Sequence, residues 1–224
     1  PRCQAIRQGI VDQKYYPYGK GKYKIKKYKS IKIGLNQDEV LKLESVKLDK
    51  DSIRDHSRNM FLFSFYFAGI RVADVLRLKW SDVNDGRLAY KMGKNSKIDY
   101  LLIPEKAKAI IDKYSINMES NDVFIFPELN NVNHDDPVVV HLKIKNANNK
   151  FNKNLKKIAK EIGITKNMSM HMARHTFGNI AGDSISPQML QKLYRHSSLA
   201  TTVRYQGNFV HKDADEALRE VLSF

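Results

Sequence analysis

Residues 171–208 read HMARHTFGNIAGDSISPQMLQKLYRHSSLATTVRYQGN, and they carry the strongest indications of both fold and chemistry in the chain. The pattern predicts a run of short helices that carries four chemically versatile side chains, His171, Arg174, His196 and Tyr205. Because His171 and Arg174 are three residues apart, a helix would project both from one face. Such a spacing arises often by chance, so its weight depends on the residues that accompany it.

Those accompanying residues suit one kind of chemistry. Arg71 stands in the run AGIRVADVLRLKW, and a guanidinium offers a planar fork of donors that matches two phosphate oxygens. Histidine can move a proton near neutral pH, and Lys94, in a proposed hairpin turn, can act as a general acid if its pKa falls. A tyrosine hydroxyl becomes nucleophilic where cationic neighbours favour the phenolate. These residue types suit metal-free transfer of a phosphodiester from DNA to Tyr205.

Each of these residues also has an ordinary structural interpretation. Arg71 and Asp74, three residues apart, can form an ion pair, which is the favoured interpretation of that segment alone. Lys91 and Lys97 compete with Lys94 for the role of general acid. The tyrosine at the end of the motif is one of eleven, any of which can pack by its ring. It is the order and spacing of all the motifs together that favour a catalytic site.

The basic charge is concentrated in two segments. The net charge is +15, and residues 14–32 and 142–160 contain fifteen lysines and no acid. Clusters of this kind suit a polyanion that binds by counterion release, although a solvated lysine face is the alternative. Charge therefore favours double-stranded DNA as the partner. The candidate DNA-contacting residues are Lys24, Lys26, Lys27, Lys143, Lys145, Lys150 and Lys153.

Composition limits the class of protein. A length of 224 residues fits one large domain or one domain with a short appendage. The longest aromatic run, residues 60–70, is shorter than the roughly twenty residues of a membrane span, and no signal peptide is evident. Cys3 is the single cysteine, which excludes an internal disulfide and a cysteine-based metal site. We expect no metal, no cofactor, no membrane association and a reducing cytoplasm.

Two regions are expected along the chain. Residues 1–35 are rich in Lys, Tyr and Gly, and they predict a linker or arm with one short strand near 24–33. Since the chain begins with Pro rather than Met, it can also be a fragment that lacks an upstream domain. Residues 36–224 form the second region. Its predicted helices are about 36–45, 51–68, 71–79, 105–114, 141–162, 169–182, 187–194, 199–205 and 211–222.

Strands are few in this pattern. Residues 87–103 predict two short strands joined by a turn at about 93–96, and residues 123–126 predict a third strand or a buried loop. The expected fold is mainly α with a small antiparallel β-sheet, an α+β arrangement.

The motifs resemble those of the tyrosine recombinases, the phage integrase family, over roughly residues 36–210. AGIRVADVLRLKW resembles the first arginine box, with Asp74 where glutamate is common. MGKNSK resembles the β-hairpin lysine segment, which points to Lys94, with Asn95 in place of threonine. HMARHTF resembles the His-x-x-Arg-His box. LYRHSSLATTVRY resembles the Leu-Gly-His…Tyr box, with Arg195 replacing the usual glycine.

The resemblance implies a role for each matched residue. Tyr205 would attack the scissile phosphate, form a 3′-phosphotyrosyl link and free a 5′-hydroxyl. Arg71 and Arg174 would hold the non-bridging oxygens, and Lys94 would protonate the leaving 5′-oxygen. His171 would assist proton transfer at the nucleophile. His196 would hydrogen-bond the phosphate.

The resemblance also implies an assembly and a setting. Strand exchange would proceed through a Holliday junction without metal or ATP, in a homotetramer on two DNA sites, with a monomer in isolation left open. Helix 211–222 would dock on a neighbouring protomer or pack on its own domain, and residues 1–35 would be a linker or the end of a missing core-binding domain. The expected setting is the prokaryotic cytoplasm and nucleoid, with integration or excision of a mobile element as the task. The alternatives are type IB topoisomerase-like DNA relaxation and a non-catalytic DNA-binding module.

Overall fold

The computed structural model describes residues 6–18, 21–23, 33–91, 98–115, 123–182, 185–194 and 202. The chain divides into two compact units, Pro1–Ile31 and Lys32–Phe224. In the first unit, a single turn of 3₁₀ helix at Gln13–Tyr15 begins where the Asp12 side chain accepts a hydrogen bond from the Lys14 N–H. The strand predicted near 24–33 lies outside the described residues except at its last position.

The second unit is mainly helical with one small sheet, as the sequence predicted. Its helices are α1 Gln37–Ser45, α2 Ile53–Tyr66, α3 Val72–Val75, α4 Glu105–Ser115, α5 Pro137–Glu161, α6 Met172–Ala181 and α7 Pro187–Tyr194. Its strands are β1 Val83–Asn84, β2 Arg87–Lys91 and β3 Ile98–Leu102, antiparallel in the order β1-β2-β3. Short 3₁₀ helices occur at Trp80–Asp82 and Pro127–Leu129.

Capping residues set the start of two helices. At α1, the Glu39 N–H donates to Asn36 Oδ1 and the Asn36 N–H donates to Glu39 Oε2, both at 2.8 Å, which is the predicted capping box. At α5, the Asp136 side chain accepts from two backbone N–H groups and Pro137 occupies the first turn. The observed helix therefore begins four residues before the predicted start at 141, because proline at the first turn is compatible with a helix.

Helix α2 lies at the centre of the core. Met60, Phe61 and Phe63 have no exposed surface, and the helix packs against α4, α5 and α6. The sequence predicted this central position from its nearly continuous apolar surface. The helix ends where Ala68 and Gly69 both take positive φ, at 54° and 70°. This left-handed turn reverses the chain before α3.

The region after α3 differs from the prediction. Only Val72–Val75 is helical, rather than 71–79. A turn at residues 76–77 follows, and the chain is extended at Lys79, which bridges Phe124. Residues 123–126 are therefore a buried loop, and the third strand is β1 instead. None of the helices in the described ranges combines the length and hydropathy needed to cross a membrane. The helices predicted at 199–205 and 211–222 lie outside the described residues, apart from Thr202.

Candidate functional site

The Arg174 side chain lies where three segments of the chain meet. It projects from the first turn of α6 and is only 4% exposed. Its Nη1 donates to the Gly69 carbonyl at 3.2 Å, and its Nη2 donates to the Tyr194 carbonyl at 2.7 Å. The guanidinium carbon stands 3.9 Å from the centre of the Tyr194 ring. These contacts fix both the plane and the direction of the guanidinium.

Gly69 makes this arrangement sterically possible. A Cβ at Gly69 would lie 2.3 Å from the Arg174 Cα and 2.6 Å from its Cβ, closer than real contacts allow. The glycine also has a φ of +70°, a conformation that other residues adopt at a cost. The absence of a side chain therefore lets the turn after α2 lie directly against α6.

Arg71 follows this turn by two residues and serves as the N-cap residue of α3. Its Nη1 is buried, and it has no hydrogen-bond partner among the residues that the structure describes. Asp74, which is also buried, donates its backbone N–H to the Arg71 carbonyl at 2.8 Å. The fold thus brings the segments of both predicted arginines together.

His171 occupies a different environment from Arg174. It is the N-cap residue of α6 and is exposed, whereas Arg174 is buried. Its ring meets the His175 ring edge-on, with centroids 4.7 Å apart. His171 therefore lies at the solvent edge of α6, one turn before the buried arginine.

Hydrogen bonds from distant segments hold α6 in place. The Leu35 N–H donates to Thr176 Oγ1 at 3.0 Å, and the Asn179 side chain donates to the Leu35 carbonyl at 3.1 Å. The Met170 N–H donates to Asn152 Oδ1 at 2.7 Å. Sequence reasoning missed these supports, since no motif connects residues so far apart in the chain. It also missed Tyr194, whose only sequence signal is its place inside LYRHSS.

The remaining predicted site residues divide into two groups. Those outside the described residues are Lys24, Lys26, Lys27, Lys94, His196 and Tyr205. Four candidate lysines of α5 are described, and all are exposed: Lys143, Lys145, Lys150 and Lys153. At about 100° per residue, Lys143, Lys150 and Lys153 lie within roughly 80° of one another, and Lys145 lies about 80° beyond Lys153. We call Lys143, Lys150 and Lys153 the α5 lysine stripe, and Lys145 lies at its edge.

A cavity of about 450 Å³ lies elsewhere, near the start of α2. His56 hydrogen-bonds there to Tyr114 Oη through Nδ1 and to Glu128 Oε1 through Nε2, both at 2.6 Å. Since a helix rises about 1.5 Å per residue, His56 stands roughly 15 Å along α2 from its Tyr66 end. Within the described ranges, no three His, Cys, Asp or Glu side chains are grouped as a metal site requires.

Comparison with known proteins gives a consistent picture. The model of the phage integrase family matches residues 34–211. Tyrosine recombinase XerA of Pyrococcus horikoshii is 29% identical over 182 residues, which are 79% of this chain and 57% of the relative. The chain thus spans little more than half the length of this relative.

Two solved structures share the fold at low sequence identity. The Tn1549 transposon integrase in complex with transposon right end DNA has a TM-score of 0.63 and 16% identity, covering 100% of this chain and 78% of its own. A lambda integrase tetramer bound to a Holliday junction has a TM-score of 0.55 and 18% identity, covering 88% and 55%. The expected tyrosine recombinase catalytic-domain fold is confirmed. Since the family model covers most of the chain and the fold agrees with it, this chain belongs to the phage integrase family.

Proposed function

We propose that this chain is the catalytic domain of a site-specific DNA recombinase that cleaves and rejoins DNA through a 3′-phosphotyrosyl intermediate. The observation that supports the proposal is that the chain segments containing Arg71 and Arg174 meet at Gly69. Arg174 is buried and oriented by two carbonyl oxygens. Arg71 keeps a buried Nη1 without a partner among the described residues.

A phosphodiester is the ligand class that best fits these two groups. A buried guanidinium N–H without an acceptor is costly, and a phosphate oxygen would satisfy it with a charge-assisted hydrogen bond. The groups that orient Arg174 through the contacts described above are neutral, so they hold the cation without cancelling its charge. Donors fixed before the reaction stabilise developing negative charge on a phosphorane-like transition state.

The other catalytic roles follow from the family motifs. We assign Tyr205 as the nucleophile, Lys94 as the general acid toward the leaving 5′-oxygen, and His196 as a phosphate ligand. His171 has the exposure that a proton-transferring group at a DNA surface needs. The ester keeps the bond energy, so rejoining through a Holliday junction requires neither metal nor ATP.

The partner in this proposal is double-stranded DNA. The α5 lysine stripe supplies exposed cations for backbone phosphates. Lys24, Lys26 and Lys27 are proposed as further DNA-contacting residues because they belong to the second lysine-rich segment of the sequence. The lambda relative is a tetramer on a Holliday junction, which supports a homotetramer on two DNA sites. The Tn1549 integrase structure contains transposon right end DNA, which supports integration or excision of a mobile element as the task. The setting in this proposal is the prokaryotic cytoplasm, at the nucleoid. In this proposal residues 36–224 are the catalytic region, residues 1–35 are a linker or arm, and the predicted helix 211–222 docks in cis or in trans.

Covalent trapping tests the proposal. The protein is incubated in excess EDTA with a tiled set of nicked duplexes that cover the DNA on either side of its gene. We expect a 3′-linked protein–DNA adduct with wild type and none with Tyr205→Phe. An adduct that persists in Tyr205→Phe would refute the assignment of Tyr205 as the nucleophile. An absolute requirement for added Mg²⁺ would refute the metal-free mechanism. Relaxation of supercoiled plasmid without paired sites would indicate topoisomerase chemistry instead.

A further inference from the structure

Tyr194 contacts Arg174 in three separate ways. Its ring lies under the guanidinium at 3.9 Å, its carbonyl accepts from Arg174 Nη2 at 2.7 Å, and its hydroxyl donates to the Arg174 carbonyl. The tyrosine has no exposed surface. One residue therefore holds both the charged end and the backbone of the predicted phosphate ligand.

The position of Tyr194 in the fold explains the strength of this contact. It is the last residue of α7. The backbone carbonyls in the last turn of a helix accept no hydrogen bond from within the helix, and they carry partial negative charge. A guanidinium at this end satisfies such a carbonyl and interacts favourably with the helix dipole. The aromatic face adds a cation–π interaction, which is strongest where water is excluded, as it is here.

We propose that Tyr194 is a positioning residue that holds the Arg174 guanidinium in the orientation required to bind the scissile phosphate. The inference rests on the proposed function of Arg174. The Tyr194 hydroxyl is buried and already donates to a backbone carbonyl, so it does not serve as a second nucleophile. Its contribution to cleavage is made through Arg174.

The test compares two substitutions that separate the ring from the hydroxyl. Tyr194→Leu removes the ring and leaves the backbone carbonyl, whereas Tyr194→Phe keeps the ring and removes only the hydroxyl. Tyr114→Phe is the matched control, because its hydroxyl also makes a hydrogen bond but at the far end of α2. Each variant is assayed on the duplex that traps wild type, with cleavage at saturating DNA and DNA affinity measured separately.

We expect Tyr194→Leu to lower the cleavage rate about 10- to 30-fold, the loss that a desolvated cation–π contact represents. DNA affinity should change less than about twofold, since many lysines share binding. Tyr194→Phe should cleave within about threefold of wild type, because one neutral hydrogen bond contributes modestly. A Tyr194→Leu protein that cleaves at the wild-type rate would overturn the inference. So would equal losses in rate and affinity.

A second measurement does not depend on recombination. The Arg174 Nε–H resonance, identified by its disappearance in Arg174→Lys, should show the ring-current shift of a proton near an aromatic face. Tyr194→Leu should remove that shift, while Tyr194→Phe and Tyr114→Phe should keep it. An unchanged resonance in Tyr194→Leu would overturn the contact itself. Wild type could instead form no adduct while Tyr194→Leu still loses the ring-current shift. That result would confirm the contact but refute the proposed function, and the positioning role would fail with it.

Discussion

Gly69 and Arg174 are in direct contact although 105 residues separate them in the chain. The Gly69 carbonyl accepts from Arg174 Nη1 at 3.2 Å, and the space that a Cβ would need is filled by the Cα, Cβ and Cγ atoms of Arg174. The turn after α2 and the first turn of α6 are thereby fixed against each other. Arg71, two residues beyond, takes its place from this contact.

Gly69→Ala should destabilise the fold by about 3 kcal/mol or more, because strain at positive φ adds to a backbone collision. Gly86→Ala is the control, since Gly86 has a φ of +69° but nothing within 4 Å of its Cβ position. The control should lose only about 1 kcal/mol. Urea unfolding measures both, and equal losses would show that the close approach to Arg174 does not matter.

Arg71→Ala should separate stability from catalysis. Arg71 Nη1 has no partner among the described residues, so removing this side chain should change the free energy of unfolding by about 1 kcal/mol at most. Cleavage at saturating DNA should fall by about 100-fold or more. Arg58→Ala provides the contrast, since Arg58 pairs with buried Asp55, and losing it should cost roughly 3 kcal/mol. A large stability loss in Arg71→Ala, with cleavage retained, would contradict the phosphate-binding role.

Thr176 is fully buried, and its hydroxyl accepts from the Leu35 N–H. Thr176→Val should lower the free energy of unfolding by about 1–3 kcal/mol, because it leaves that N–H without its acceptor. Thr176→Ser retains the oxygen and should lose less. Thermal or urea unfolding compares the pair. If both variants lose the same amount, the methyl group rather than the hydrogen bond anchors α6.

Stability at alkaline pH should depend on Tyr114. Burial raises the pKa of Tyr114 above that of an exposed tyrosine. Above about pH 10 the unfolded chain therefore releases this proton before the folded protein does, and folding stability falls by about 1.4 kcal/mol per pH unit from this group. Below that pH the group contributes no slope.

Tyr114→Phe should consequently lose stability less steeply than wild type as the pH rises past about 10. Tyr100→Phe is the control, because Tyr100 is 64% exposed. It should keep the wild-type slope. Urea unfolding across the alkaline range gives the two slopes. An unchanged slope in Tyr114→Phe would show that this tyrosine does not report on alkaline stability.

The α5 lysine stripe should contribute to DNA affinity through counterion release. Lys150→Gln and Lys153→Gln should each reduce the slope of log affinity against log salt by about 0.9. Lys166→Gln is the control, because Lys166 is partly buried and bonded to Glu39 at 2.5 Å. Fluorescence titrations at several salt concentrations measure the slopes. Slopes unchanged in the stripe variants and reduced in the control would place the DNA elsewhere.

Local features of this chain follow from its sequence, because they depend on neighbouring residues. The capping box at Asn36, the central helix α2 and the end of α7 at Tyr194 were all predictable from caps and apolar periodicity. The family was predictable from four motifs with their spacing. The early end of helix α3 was not, because residues 78–80 pair with the segment that contains Phe124. That partner is remote in sequence.

Sequence alone therefore established the family and nominated Arg71 and Arg174, since each stands inside a local motif. Only the tertiary structure decided how Arg174 is held. The Gly69 carbonyl, the Tyr194 ring and the Leu35–Thr176 bond reach α6 from segments that no periodicity links. The physical reason is that a buried guanidinium takes its orientation from whichever acceptors and ring the folded core places around it, and those neighbours exist only after folding.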